Sequence, residues 1–292
     1  GFNGPGQFLS GGAPAVAPVL RQRRNLGFQS QRYFTAYDIP LIGRCIPREH
    51  PGYYDQLVEL SYRSAEFGQY PYWSVYAGGN ATTLGTRQQM IDHQHRLEDV
   101  VATAGFGFLD LHNEFDHPAN RETAFIGPNP PSYLAWSQGS NMQDEDPPEP
   151  YGNFYARHPG SGPEVQRKIG KQNYDFARDN GLHLPGFDDE IARVDATTGP
   201  SRQQIYDGAR TAVMFCASAC YHSAQGKTFS LFTGEQLDKA IAWSEGIQWV
   251  VGRGLDIAQD GQYTNLNPEQ YLRRYQRELH GRRILLEVQH AA

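Results

Sequence analysis

The chain has 292 residues, which is enough for one large α/β domain with a sizeable core, or for two small domains. Its formal net charge is −6 and its basic residues are dispersed, so nucleic acid is not expected as a partner. No apolar run approaches the length of about 18 residues that a membrane-spanning helix needs. Cys45, Cys216 and Cys220 are too few for a disulfide framework and leave the compartment open, with an extracellular location favoured.

Strand and helix patterns alternate along the first half of the chain. Predicted strands cover residues 29–36, 72–77 and 106–112, and predicted helices cover residues 53–67 and 87–103. An earlier strand would have to fit within residues 1–9. Because the chain starts at Gly1 without an apolar leader, we expect a processed product. Residues 116–150 are rich in Pro, Asn and Asp, with one short strand expected at residues 133–136.

The same alternation continues in the second half. Strands are predicted at residues 154–157 and 183–187 and between residues 220 and 232, and helices at residues 164–179, 201–219 and 235–250. Such alternation implies a parallel sheet, and seven or eight strand–helix units favour a closed (β/α)8 TIM barrel over an open sheet. We expect this barrel to cover residues 1–260, with a truncated first strand. Residues 261–292 are expected to form a helix and a strand that pack on the barrel or begin an accessory domain.

The strand at residues 106–112 runs directly into a group of polar residues that includes Asn113 and Glu114. A carboxylate buried without a partner costs several kcal/mol, so this strand should open into a solvent-filled site, as strand ends do in barrel enzymes. Strand alternation places Asp110, His112 and Glu114 on one face and Asn113 on the other. For Asn113 and Glu114 to share a site, the strand must bend there. The alternative interpretation is a turn or helix-capping cluster.

A second carboxylate, Glu190, follows a predicted strand three units later and would emerge at the same rim of a barrel. Two carboxylates across a barrel mouth suit general acid/base and nucleophilic roles on a glycosidic bond. The alternative is a solvated acidic loop, Asp188-Asp189-Glu190, in which the two aspartates compete for any role that Glu190 has.

The order of these motifs resembles the clan A glycoside hydrolases, which are retaining β-glycosidases built on TIM barrels. In that clan an Asn-Glu pair ends the fourth strand, and a nucleophilic Glu ends the seventh. Asn113-Glu114 matches the pair and Glu190 matches the nucleophile. Leu26-Gly-Phe-Gln-Ser-Gln-Arg32-Tyr33 resembles the second-strand pattern Leu-Gly-Phe-Asn-x-x-Arg-Val, with Gln29 in place of the usual Asn. The resemblance implies that Glu114 is the acid/base, Glu190 the nucleophile and Arg32 a support for the nucleophile.

Further residues are expected to contact a sugar. Asn113 suits the 2-hydroxyl, the tryptophans offer flat faces, and the remaining residues stand near predicted strand ends. The full set is Arg32, Trp73, His112, Asn113, Trp136, Tyr155, His158 and His222. This interpretation requires a carbohydrate substrate, no cofactor and no metal, and it leaves open an oligomer or larger assembly.

Two other functions stay open at this stage. A catalytically inactive barrel would serve as a structural or carbohydrate-binding module of a larger assembly. A metal-dependent hydrolase would use residue types that bind divalent ions. Its ligands would come from His112, Glu114, Asp116 and His117, with a more distant ligand from His158, His183 or His222.

Overall fold

The computed structural model describes residues 3–40, 42–76, 83–113, 127–137, 139–140, 155–157, 186–188, 199–215, 218–219, 221 and 223–251. The helices within these ranges are α1 (Gly4–Asn25), α2 (Tyr53–Glu66), α3 (Arg87–Ala104), α4 (Arg202–Phe215), α5 (Ala224–Lys227) and α6 (Gly234–Val251). The strands are β1 (Ser30–Phe34), β2 (Tyr37–Ile39), β3 (Gly43–Cys45), β4 (Tyr70–Tyr76), β5 (Phe108–His112), β6 (Trp136–Ser137), β7 (Gly139–Ser140), β8 (Tyr155–Arg157), β9 (Gly186–Asp188) and β10 (Ser218–Ala219).

The strands other than the β2–β3 hairpin form two parallel sheets. One sheet has the order β1-β4-β5-β6, and the other has the order β10-β9-β8-β7. Only residue 138 separates β6 from β7 in the chain, so the strand order continues from the first sheet into the second. Sequential parallel strands joined by helices are the arrangement of a (β/α)8 barrel.

Local sequence signals set the limits of α3, the helix that follows β4. Thr86 begins it with a capping box, in which the Thr86 hydroxyl accepts from the Gln89 amide nitrogen and the Gln89 side chain accepts from the Thr86 amide nitrogen. Gly105 ends the helix with a φ of 77°, a conformation that favours glycine. These two signals explain why the predicted limits of 87–103 agree closely with the structure.

The main core lies between the first sheet and helices α1, α2 and α3. Tyr33, Trp73 and Leu109 are in register on neighbouring strands, and the rings of Tyr33 and Trp73 are 5.0 Å apart. They belong to the same buried cluster as Leu20 of α1 and Leu57 of α2. A second cluster joins α4 and α6 around residues such as Ile205, Ala209 and Trp243. The first cluster packs against β1, β4 and β5 and so helps to set the positions of their carboxyl ends.

The N-terminal strand expected within residues 1–9 is wrong for the described part of that range, because Gly4–Asn25 is helical. Gly12 has non-helical dihedral angles (φ 62°, ψ −160°), and Pro14 and Pro18 lie inside the helix. The glycines and prolines obscure the helical pattern in the sequence. Packing of an apolar face stabilises the helix instead, as is usual for helices in proteins.

A second correction concerns residues 201–232. The helix predicted over 201–219 ends at Phe215, and the next strand is Ser218–Ala219 rather than a segment between 220 and 232. Ser223 caps α5, with its hydroxyl accepting from the amide nitrogen of Gly226. The strand predicted at 133–136 begins only at Trp136. The helix predicted at 164–179 and the segment 261–292 lie outside the described residues.

Candidate active site

Polar side chains from three neighbouring parallel strands meet on one face of the first sheet. Arg32 lies on β1, Ser74 on β4 and Asp110 on β5, and Asn113 directly follows β5. In the register of the sheet, Ser74 is opposite Asp110, and the β1 residue opposite Ser74 is Phe34. Arg32 lies two residues before Phe34, and its long side chain reaches along the sheet to Asp110. Carboxyl ends of parallel strands meet at one rim of a barrel, and Asn113 lies at this rim.

A single guanidinium nitrogen of Arg32 connects the cluster. Arg32 Nη2 donates to Asp110 Oδ2 at 2.5 Å and to Asn113 Oδ1 at 2.6 Å. Ser74 Oγ also donates to Asp110 Oδ2, at 3.0 Å. The side chains of Arg32 and Asp110 are only 2% and 0% exposed. An ion pair so excluded from water is maintained only when good geometry and additional hydrogen bonds offset the desolvation of both charges.

Asn113 marks the point where the chain leaves the sheet. Its amide nitrogen donates to the carbonyl oxygen of Tyr76 at 3.0 Å, which extends the β4–β5 pairing by one residue. Strict alternation would place Asn113 on the face opposite Asp110, yet both side chains bind Arg32. The chain at Asn113 therefore departs from strict strand alternation, whereas the shared site of Asn113 and Glu114 stays a prediction. Because Oδ1 accepts from Arg32, the amide group is held in one orientation, with Nδ2 directed away from the guanidinium.

His112 lies inside the protein, behind Asn113. Its Nδ1 is 3.0 Å from the carbonyl oxygen of Asn113, and its ring centroid is 5.9 Å from that of Tyr76. Tyr76 in turn donates its hydroxyl to the carbonyl oxygen of Met90 on α3, and burial raises the pKa of this phenol. His112 is buried. In the structure its ring contacts the backbone at the strand end, and its expected contact with a sugar stays a prediction.

Both tryptophans that were expected to contact a sugar lie on the other face of the sheet. Trp73 is 0% exposed and packs on Tyr33 in the core. Trp136 is in register with Leu109, is 8% exposed and belongs to the same core cluster. Because successive side chains of a strand alternate, the faces of Trp73 and Ser74 differ, and it is Ser74 that reaches Asp110. The expectation of sugar stacking on Trp73 and Trp136 does not agree with these positions.

The structure leaves several predicted site residues undescribed. Glu114, Glu190, His158 and His222 lie outside the described residues, and Tyr155 is described through its place in β8, where it pairs with Gly186. Asp188 belongs to β9 rather than to the loop after it, and Glu190 comes two residues later in the chain. The assignments of Glu114 and Glu190 therefore remain predictions.

Two members of the cluster, Asp110 and Ser74, were not among the predicted site residues. The signal for Asp110 was present in the sequence, since it stands between Leu109 and Leu111 in an apolar strand. A charged residue in such a strand requires a buried partner. The sequence did not identify that partner, because Arg32 is 78 residues away in the chain.

A metal site receives no support from the part of the chain that the structure describes. Within those residues there is no group of three or more His, Cys, Asp or Glu side chains that would hold a metal ion. His112 is the one member of the alternative ligand set that lies in the described ranges. The helices in these ranges also include none that is long and apolar enough to cross a bilayer.

Searches by sequence found no matching family model and no matching curated protein. Solved structures give clear matches. A GH5_18 protein from Bifidobacterium longum subsp. infantis is similar over 83% of this chain and 75% of its own, with 14% identity and a TM-score of 0.57. A GH5_18 variant from Streptomyces cattleya, in complex with Manβ1-4GlcNAc, is similar over 88% and 79%, with 14% identity and a TM-score of 0.58.

A third match is the exo-β-1,4-mannosidase Op5Man5 from Opitutaceae bacterium strain TAV5. It is similar over 80% of this chain and 56% of its own, with 14% identity and a TM-score of 0.50. The chain has the fold of these proteins. The (β/α)8 fold predicted from the sequence is thereby confirmed, whereas fold similarity at this level of identity leaves the reaction to be argued from the site.

Proposed function

We propose that the chain is a glycoside hydrolase that cleaves a β-linked glycan by a retaining double displacement. Glu114 is the acid/base and Glu190 the nucleophile. The observation that carries the proposal is the buried Arg32–Asp110–Asn113 cluster, which fixes Asn113 at the carboxyl end of β5. Glu114 is the next residue in the chain. Structural similarity to GH5 proteins supports the same conclusion.

The reaction would proceed in two steps. In the first, ionised Glu190 attacks the anomeric carbon while protonated Glu114 gives its proton to the leaving oxygen, and a covalent glycosyl-enzyme forms. In the second, Glu114 removes a proton from water, which attacks the same carbon and releases the sugar with its original configuration. This mechanism requires the two carboxyl groups to be about 5–5.5 Å apart.

The Arg32–Asp110–Asn113 cluster holds the Asn113 amide in a fixed orientation beside the proposed acid/base. Asn113 would bind the 2-hydroxyl of the sugar, a hydrogen bond that strengthens as the oxocarbenium-like transition state forms. Its amide is already oriented by Arg32, so little reorganisation is needed during the reaction. Asp110 is a buried counter-ion of Arg32, and this ion pair helps to hold the guanidinium in the position from which it orients Asn113. A supporting role of Arg32 towards Glu190 is part of the proposal.

The substrate class is argued from the similar structures. One of them was solved with Manβ1-4GlcNAc, and another is described as an exo-β-1,4-mannosidase. We therefore propose β-mannosides as the first substrates to test. Tyr155, His158 and His222 are proposed as further sugar contacts from later strands of the barrel. Sugar rings stack on apolar and aromatic area, so binding should change little with salt concentration.

Turnover of aryl β-mannosides and aryl β-glucosides tests the proposal. Glu190→Gln should abolish turnover of every substrate. Glu114→Gln should lower kcat/KM strongly for substrates with poor leaving groups and little for those with good leaving groups, which need no proton in the first step. It should lower kcat for both types, because the second step loses its base. Glu66→Gln on the exposed surface of α2 is the matched control and should retain full activity. An equal loss of kcat/KM on both substrate types would argue against Glu114 as the acid. The configuration of the product, measured by NMR, tests retention.

A second candidate is a barrel that binds a glycan without cleaving it. It is favoured by the acidic sequence Asp188-Asp189-Glu190, because neighbouring carboxylates make it costly to ionise all three groups together. A glycan array with the wild-type protein and with Glu190→Gln separates the two functions. Binding by both proteins without turnover by the wild type would establish the second candidate.

A further inference from the structure

A series of hydrogen bonds links helices α2 and α3 to the ends of β1 and β4, two of the strands that carry the Arg32–Asp110–Asn113 cluster. It centres on His93 of α3, which is buried. His93 Nδ1 is 2.9 Å from the hydroxyl oxygen of Tyr54 on α2, and Nε2 is 3.0 Å from Oγ1 of Thr35, the residue that follows β1. Thr35 Oγ1 donates to the carbonyl oxygen of Ser74 at 2.9 Å and lies 3.2 Å from that of Val75. Four elements are thus connected through one imidazole.

The direction of these hydrogen bonds follows from counting protons. A threonine hydroxyl has one hydrogen, and in Thr35 it is directed to the backbone carbonyls of β4. Oγ1 must then accept from His93, so Nε2 carries the proton. Nδ1 is therefore unprotonated and accepts from the hydroxyl of Tyr54. Burial lowers the pKa of His93 to about 3 and raises that of Tyr54 to about 12, in agreement with a neutral imidazole and a protonated phenol.

These hydrogen bonds connect to the proposed active site through the backbone of Thr35 and Ser74. Thr35 lies three residues after Arg32 in the chain, directly after the end of β1, and its amide nitrogen also donates to the Ser74 carbonyl oxygen, at 3.2 Å. The Ser74 hydroxyl in turn donates to Asp110 Oδ2. The Tyr53 hydroxyl donates to the carbonyl oxygen of Thr35 from the other side. A displacement of Thr35 would change the separation of the β1 and β4 ends, and with it the contact between Arg32 and Asp110.

We propose that His93 is a positioning residue of the active site. Its neutral imidazole holds Thr35 against Ser74 and so maintains the geometry in which Arg32 orients Asn113. The role rests on the proposed function, in which Asn113 binds the sugar. His93 itself touches neither substrate nor reacting atoms. The charged groups near the Tyr54 hydroxyl are Asp92 and Arg96, both on α3. The Arg96 guanidinium lies 6.0 Å from the Tyr54 ring centroid.

Substitutions at Thr35 test the proposal with little change in shape. Thr35→Val removes the hydroxyl and keeps the branched side chain, whereas Thr35→Ser keeps the hydroxyl. We expect Thr35→Val to lower kcat about tenfold with KM within about twofold of the wild-type value, because the lost orientation matters most in the transition state. Thr35→Ser should restore kcat to within about threefold. His93→Gln should fall between these two.

Ser61→Ala is the matched control for the loss of a buried hydroxyl. Ser61 is buried on α2, donates to the carbonyl oxygen of Leu57 at 2.9 Å and is not part of the cluster. It should lower stability to a similar degree without changing kcat. If Thr35→Val changes kcat no more than Ser61→Ala does, His93 and Thr35 act only on stability and the positioning role is refuted.

A second readout does not depend on turnover. NMR of the 15N-labelled protein reports the His93 tautomer and the solvent exchange of the Asn113 side-chain amide. We expect an Nε2-protonated ring in the wild type, and faster amide exchange at Asn113 in Thr35→Val but not in Ser61→Ala. An Nδ1-protonated ring, or unchanged Asn113 exchange in Thr35→Val, would overturn the proposal. If the wild type lacks turnover while this NMR result is obtained, the proposed reaction fails and the positioning role of His93 towards Asn113 stands.

Discussion

The buried Arg32–Asp110 pair gives the sharpest test of how the site is held together. Asp110→Asn preserves the shape of the side chain and removes its charge. The Arg32 guanidinium then stays buried, with its side chain 2% exposed, without the carboxylate that now lies 2.5 Å away. Breaking a buried pair by removing one partner typically costs about 3–5 kcal/mol. We therefore expect the free energy of unfolding to fall by an amount in this range.

The contacts of Asp110 lead to a similar magnitude. Its Oδ2 accepts from Arg32 Nη2 at 2.5 Å and from Ser74 Oγ at 3.0 Å. Hydrogen bonds to a charged group contribute about 1.5–3 kcal/mol each, and an amide oxygen would replace only part of this. Since domains are commonly stable by about 5–15 kcal/mol, the variant should still fold but unfold at clearly lower urea concentration.

Urea unfolding followed by circular dichroism measures the effect, with two further variants for comparison. Combining Asp110→Asn with Arg32→Met removes the buried cation as well and should recover much of the lost stability, whereas turnover should stay low because Asn113 is no longer oriented. Glu66→Gln breaks an exposed pair with Arg63 and should cost about 1 kcal/mol or less. A loss for Asp110→Asn as small as that of Glu66→Gln, or a double variant no more stable than the single one, would refute the reasoning.

Three further outcomes are expected. In the folded protein the pKa of His93 is lowered to about 3, so below about pH 6.5 the unfolded protein binds a proton that the folded protein does not. The free energy of unfolding should therefore fall by about 1.4 kcal/mol for each pH unit below about 6.5. Urea midpoints measured between pH 7 and pH 4 should show a shallower decline for His93→Gln, and equal declines would contradict this account. Trp73→Ala should cost about 3–5 kcal/mol while leaving KM of the folded protein unchanged, and a raised KM would show that the ring contacts the sugar after all. Gly107 has a φ of 107°, and an added Cβ would lie 3.1 Å from the carbonyl oxygen of Pro71, so Gly107→Ala should lower stability by about 1–3 kcal/mol in thermal unfolding. Gly52→Ala, where φ is 67° but nothing lies within 4 Å of the added Cβ, should cost less.

The sequence was informative wherever a local pattern carried the signal. Elements β1, β4, β5, α2, α3 and α6 all lie close to their predicted positions, because strand and helix periods and capping residues act over short distances. The same local evidence placed Asn113 at the end of a parallel strand. Helix α1 was missed since its glycines and prolines disguise a helix that tertiary packing stabilises.

The sequence was less informative about the face of the sheet to which each side chain points. Strand β4 is buried on both faces after its first residue, as is typical of central parallel strands, so its apolar residues do not reveal which face meets the helices. Trp73 was expected at the sugar site because it stands near a strand end and has a flat aromatic face, and the pattern did not show that it points to the core. Ser74, which stands between Trp73 and Val75 in the sequence, indicated the face of the polar site. A buried polar side chain in such a strand needs a hydrogen-bond partner on its own face, and the side chain of the adjacent Trp73 points to the opposite face.

Local patterns in the sequence therefore predicted the class of fold, most of the strands and helices that surround the site, and the place where polar residues interrupt an apolar strand. Tertiary structure alone decided that Arg32 joins Asp110 to Asn113, that Ser74 completes the contacts of Asp110, and that His93 braces the neighbouring strand ends. The physical reason is distance along the chain. Periodicity and capping depend on neighbouring residues, whereas a buried charge finds its partner through strand register, which brings residues 78 positions apart into hydrogen-bonding contact.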